Sequence, residues 1–229
     1  MDRGLYIAAS GMLAQTLRQD QLANDLANGS TPGYKSDRST VRSFGDLLLT
    51  NSANGQTIGP LGLGVQLDRT VTNLDPAPIR DTGQPLDFAI EGEGWFQVRT
   101  PQGVRFTRDG QFALSQQGTL IDASGNQVVG KNGGPVRAKA DGSVEPALVG
   151  VFTVTGARKQ GDSLFTGAAA GRAQGSVRAG ALEGSGVDPA RTMVDMIASF
   201  RAFEAGQKVI KTIDETLGKA ANQVASSSG

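Results

Sequence analysis

The sequence predicts an α+β fold: long N- and C-terminal helices packed as a coiled-coil-like base, with a small antiparallel all-β domain inserted between them. Three observations predict it. Residues 181–229 carry apolar side chains at seven-residue spacing, residues 1–28 show a matching alanine-rich amphipathic pattern, and residues 86–180 alternate apolar and polar positions between turn signals. The chain ends would thus form one discontinuous helical domain, with residues 29–85 as an extended linker and residues 86–180 as a β-rich outer domain.

In the C-terminal segment, Asp188-Pro189 supplies an N-cap followed by proline at the first helical position, where a missing N–H is harmless. Met196, Phe203, Ile210, Leu217 and Val224 then recur every seven residues. Met193 and Phe200 fill the alternating position, continued less apolarly by Gln207, Asp214 and Ala221. A stripe spaced alternately by three and four is a coiled-coil-type seam. Residues 188–224 as one helix would be about 55 Å long. In the N-terminal segment, Leu5, Ala9, Met12, Gln19, Ala23 and Leu26 share a face, with Leu13 and Leu17 on an adjoining ridge. Asn28-Gly29 suits a left-handed C-cap, and Pro32 blocks continuation. Neither helix can bury its stripe alone. Periodicity leaves two readings open: the helices pair only with each other, or they also pack against other copies.

Residues 29–85 read as extended and irregular, with a short strand near Val65–Val71. From Asp87 the pattern changes. Phe88 and Ile90, Phe96 and Val98, Val104 and Phe106, then Phe112 and Leu114 alternate with polar residues. Pro101-Gln102-Gly103, Arg108-Asp109-Gly110, Gln117-Gly118 and Ser124-Gly125-Asn126 lie between them as turn signals.

Composition excludes several kinds of chemistry. The chain has 229 residues, 22 basic and 22 acidic, so no net field draws it to nucleic acid or an anionic membrane. It has no cysteine and no histidine, which removes disulfides, thiolate metal sites and histidine-based catalysis. No metal, cofactor or nucleic-acid partner is expected. No apolar run approaches the ~20 residues of a membrane helix. Leu5–Ala14 resembles a signal peptide only weakly, because Gly11 interrupts it and its pattern continues to Leu26. The best enzymatic alternative is a glycan hydrolase using Glu91 and Glu93, which would stand about 7 Å apart if both lay on one strand. Gly92-Glu93-Gly94 lacks the following helix that a phosphate loop needs. A coiled-coil scaffold or adhesin is a third reading.

Three motifs narrow the choice. Asn24-Asp25-Leu26-Ala27-Asn28-Gly29-Ser30-Thr31-Pro32-Gly33-Tyr34-Lys35 resembles the signature of flagellar axial proteins. Asp87-Phe88-Ala89-Ile90-Glu91-Gly92-Glu93-Gly94-Trp95-Phe96, leading into Phe106-Thr107-Arg108-Asp109-Gly110-Gln111-Phe112, resembles the core of rod and hook proteins. Leu182-Glu183-Gly184-Ser185-Gly186-Val187-Asp188 and Met193-Val194-Asp195-Met196-Ile197 resemble that family's approach to its final helix. Ser185-Gly186 and Phe200-Arg201 depart from the family's usual Ser-Asn and Gln-Arg. The resemblance implies a non-enzymatic subunit of the basal-body rod: the length favours a rod protein over a hook protein, and of the proximal and distal rod types, both left open, the Arg80–Asp87 segment leans to the distal. Its partners would be other copies in a helical homo-oligomer, neighbouring rod and hook subunits, and the type III export apparatus, with no cleaved signal peptide and no membrane insertion. Leu5, Ala9, Met12, Leu26, Met193, Met196, Phe200, Phe203, Ile210, Leu217 and Val224 would form the helix interfaces. Asn24, Leu26, Ala27, Asn28, Thr31, Pro32, Gly33 and Tyr34 would form a turn that steers the chain from inner helix to outer domain.

Overall fold

The computed structural model describes residues 2–43, 45–50, 57–62, 64–161 and 163–227. In order, α1 (Asp2–Ala27) precedes β1 (Asp37–Ser43), β2 (Asp46–Thr50), β3 (Thr57–Gly62), β4 (Val65–Thr72) and β5 (Ile79–Asp81). Then come β6 (Phe88–Glu91), β7 (Trp95–Thr100), β8 (Gly103–Thr107), β9 (Ala113–Leu114), β10 (Leu120–Ile121) and β11 (Gln127–Val128). The chain ends with β12 (Val151–Lys159), β13 (Leu164–Arg172), β14 (Ser176–Ala179), β15 (Ala181–Glu183) and α2 (Pro189–Ser227). Two terminal helices around an antiparallel β region make the fold α+β, as the sequence predicts.

The contacts divide the chain into two units: Met1–Leu26, Asp37–Val71 and Pro189–Gly229 in one, Ala27–Ser36 and Thr72–Asp188 in the other. Residues 29–85 are therefore not a single linker. They also hold more strand than the expected short piece near Val65, with β1 paired to β4 and β2 antiparallel to β3. The reason lies in β1. Its sequence, DRSTVRS, is mostly exposed and has no apolar face for alternation to reveal.

In the helical unit, α1 and α2 run antiparallel. Ser199 Oγ donates to Gln15 Oε1 at 2.9 Å, a Cβ on Gly206 would lie 2.7 Å from Met12 Cγ, and one on Gly4 would lie 3.4 Å from Ile213 Cδ1. Gly206 thus gives up about 1 kcal/mol of helix propensity for a close approach. The base of the strand arm is fixed to α1, because Val65 N donates to Ser10 Oγ and Gln21 Nε2 donates to the Asp37 carbonyl.

In the β unit, β7 pairs with β8 along one edge and with both β11 and β12 along the other. β12 pairs with β13, and β13 pairs with β8, so β7, β8, β13 and β12 close a circle. Successive residues on β7 point to opposite faces, and each face has its own core. Phe96 and Val98 join Phe88, Ile90, Phe112, Leu120 and five buried valines. Trp95 joins Phe106 and Phe165, with the Trp95 and Phe165 rings 4.7 Å apart.

Candidate functional site

Within the β unit, the three motifs meet at one carboxylate. Glu183, the last residue of β15, is 1% exposed. Its Oε1 accepts from Lys35 Nζ at 2.6 Å and from Ala77 N at 2.9 Å, while its Oε2 accepts from Arg108 Nη1 at 2.8 Å. The Lys35 and Arg108 side chains are 0% and 3% exposed. Lys35 Nζ also donates to the Asp75 carbonyl, and Arg108 Nη2 donates to the Gly92 carbonyl at 3.0 Å. Burial pushes the Lys35 ammonium below its usual range, and the bond and charge of Glu183 pull it partly back.

The backbone around this cluster is interlaced. Gly33 N donates to the Glu183 carbonyl, Gly186 N to the Tyr34 carbonyl, and Ser185 Oγ to the Asn28 carbonyl. Gly33 has φ +64, and a Cβ there would lie 2.3 Å from the Arg108 carbonyl carbon. Glycine is required both by conformation and by space. Lys159 at the end of β12 donates to the Lys35 carbonyl and lies 3.9 Å from the centre of the buried Tyr34 ring. Gly186, a departure from the family pattern, would hold a Cβ 3.1 Å from the Tyr34 carbonyl oxygen. The expected steering turn is therefore packed against the β unit rather than standing free. Asn28, Thr31 and Pro32 are half-buried, Gly33 and Tyr34 are buried, and Ala27 is exposed; Asn24, exposed, and Leu26, half-buried, belong to α1.

The expected interface residues separate into two groups. Leu5, Met12 and Leu26 are half-buried, on a stripe that also includes Ala8, Gln15, Gln19 and Leu22. On α2, Met196, Phe203, Ile210 and Leu217 are half-buried, and the alternating positions are Thr192, Ser199, Gly206 and Ile213. Met193, Phe200 and Ala9 are exposed, so they lie off this stripe; the Val224 side chain lies outside the described residues. Beside the stripe, each helix exposes large apolar groups: Tyr6, Ile7, Leu13 and Leu17 on α1, and Met193, Val194, Ile197, Phe200 and Val209 on α2.

The glycan-hydrolase geometry does not form. β6 ends at Glu91, and Glu93 follows in a bend after Gly92, whose φ is +97. Both glutamates are exposed, and Glu91 accepts from Ser176 Oγ and lies 3.7 Å from Arg178. Trp95 begins a strand, as expected, so no helix follows Gly94.

Two helical ends around a β unit locked by these motifs define an axial structural protein. Residues 5–35 match the family described as flagella basal body rod protein, residues 89–146 the flagellar hook protein FlgE/F/G D1 domain, and residues 178–224 the flagellar basal body rod FlgEFG protein C-terminal region. The flagellar basal-body rod protein FlgF of Salmonella typhimurium is 32% identical, with all of both chains covered. FlgG of Bacillus subtilis is 30% identical over 97% of this chain and 99% of its own. FlgG of Agrobacterium fabrum is 32% identical over 93% of this chain and 96% of its own. The chain belongs to the flagellar basal-body rod protein family.

Proposed function

We propose that this chain is a drive-shaft subunit of the rod that polymerises helically through its terminal helices, after export by the flagellar type III system without cleavage of its N-terminus. Neighbouring rod and hook subunits continue the same shaft, and α1 and α2 pack in coiled-coil fashion at its centre. The observation that carries this reading is the pair of exposed apolar stripes. Residues such as Leu13, 62% exposed, and Phe200, 50% exposed, lie outside the α1–α2 contact. Apolar burial is worth ~25 cal/mol per Å², so a few hundred Å² per neighbour supplies several kcal/mol. An open helix of subunits needs heterologous contacts, and two unlike stripes on one subunit meet that need. In addition, α2 has 39 residues against 26 in α1, and residues 218–223 are all exposed.

The test is Leu13→Asp combined with Phe200→Asp. Both positions are largely exposed, so circular dichroism and melting of the purified chain should match the parent. Cells carrying the variant should be non-motile, and their isolated basal bodies should lack the chain. Normal incorporation at normal abundance would refute assembly through these stripes.

A further inference from the structure

We infer that the Lys35–Glu183–Arg108 network is a lock that closes last as the β unit folds and sets how slowly that unit reopens. The reasoning begins with chain separation. Glu183 is 148 residues from Lys35 and 75 from Arg108, so two long loops must close before both bonds exist. Burial adds a second condition. All three side chains leave water almost completely, and two cations share one carboxylate. Desolvating such groups is costly until every partner is in place, so a half-formed network gives no stabilisation. Its attraction is therefore available only in the finished geometry. That geometry is set by β15 on β5 and by the bonds from Gly33 N, Gly184 N and Gly186 N.

Interactions that are absent from the folding transition state slow unfolding and leave folding unchanged. The network thus acts on the lifetime of the closed unit rather than on its rate of formation. This holds whether or not the chain assembles, so it is independent of the polymerisation reading. In a subunit under torque, the opening rate is the quantity that governs survival.

The molecule has its own reporter. Trp95 is the only tryptophan, and the Arg108 guanidinium lies 5.5 Å from its ring centre. Stopped-flow fluorescence of the full chain across a denaturant series gives both rates. Glu183→Asp shortens the carboxylate arm so that it no longer serves both cations. It should accelerate unfolding on the order of 100-fold and leave refolding within about twofold. If Glu183→Asp does not fold, Lys35→Met is measured instead. It leaves only half of the network, the Arg108–Glu183 pair, and should therefore show the same split by a comparable factor. Slower refolding by a comparable factor would place the network in the folding nucleus and overturn the inference, as would unchanged rates in the variant measured.

Discussion

At the scale of single residues, Gly33 and Asp109 show how strongly this family's motifs depend on local physics. Read as a sequence, the turn at residues 28–33 is a director of chain path, and a valine at Gly33 is expected to harm assembly more than monomer stability. Its packing against the Arg108 backbone reverses that expectation. Gly33→Val should destabilise the β unit itself by at least about 2 kcal/mol, from positive-φ strain plus steric overlap. Urea unfolding followed at Trp95 measures this, and an unchanged midpoint would return the turn to the role of a free linker. Asp109 is a different case. Its carboxyl is lifted from 3.8 to about 6 overall: burial raises it most, the Gln111 amide lowers it, and the charges of Asp122 and Asp87 raise it. Because the folded pKa is the higher one, the protonated folded state is favoured, and its stabilisation is full below pH 3.8 and lost as pH rises through about 6. Asp109→Asn should therefore stabilise the β unit at pH 7.5 by about 1–3 kcal/mol and converge with the parent near pH 4. A constant difference across that range would show that Asp109 does not titrate in this way.

At the scale of elements, some of the architecture was legible and some was not. The start of α2 at Pro189, the end of α1 near Asn28 and the heptad series from Met196 to Leu217 all follow from caps and apolar spacing. The alternating positions of the less exposed stripe do not. They are Thr192, Ser199 and Gly206 on α2 and Gln15 and Gln19 on α1, which apolar periodicity passes over in favour of the exposed Met193 and Phe200. Lys35, Arg108 and Glu183 stand inside the three motifs, yet charged residues are ordinarily solvated, and only the fold brings them together. The strand arm leaves a testable trace. Paired two-stranded ribbons are marginal by themselves, and β1 is largely exposed at residues that include Arg38 and Arg42. Brief trypsin treatment of the monomer should cut there and in the distal half of α2. A resistant core of residues 72–188 should remain, with residues 27–36 still bound to it through Glu183. Mass spectrometry of the purified core identifies both pieces. Survival of the arm and of α2 for as long as the core would point to a self-contained stalk instead.

At the scale of the whole molecule, the two units present different chemistry to their surroundings. The helical unit displays apolar stripes, whereas the β unit gathers most of its large apolar groups into two cores on either face of β7 and exposes only scattered ones such as Leu74, Val104 and Leu148. The circle of β7, β8, β13 and β12 has a consequence for the chain before it is used. A sheet with a long straight edge invites a strand from another copy, and β-rich chains clump by that route. Among the described residues, closing the ring leaves no such edge around it. Past the ring, the β12–β13 hairpin carries register irregularities between Phe152 and Val154 and between Thr155 and Arg158, while β9, the strand at the far end, has only two residues. Bulges and brevity both spoil a template for strand addition. Crowded copies are therefore poor partners for mis-pairing through this sheet, and they can be stored at high concentration without seeding aggregates from it.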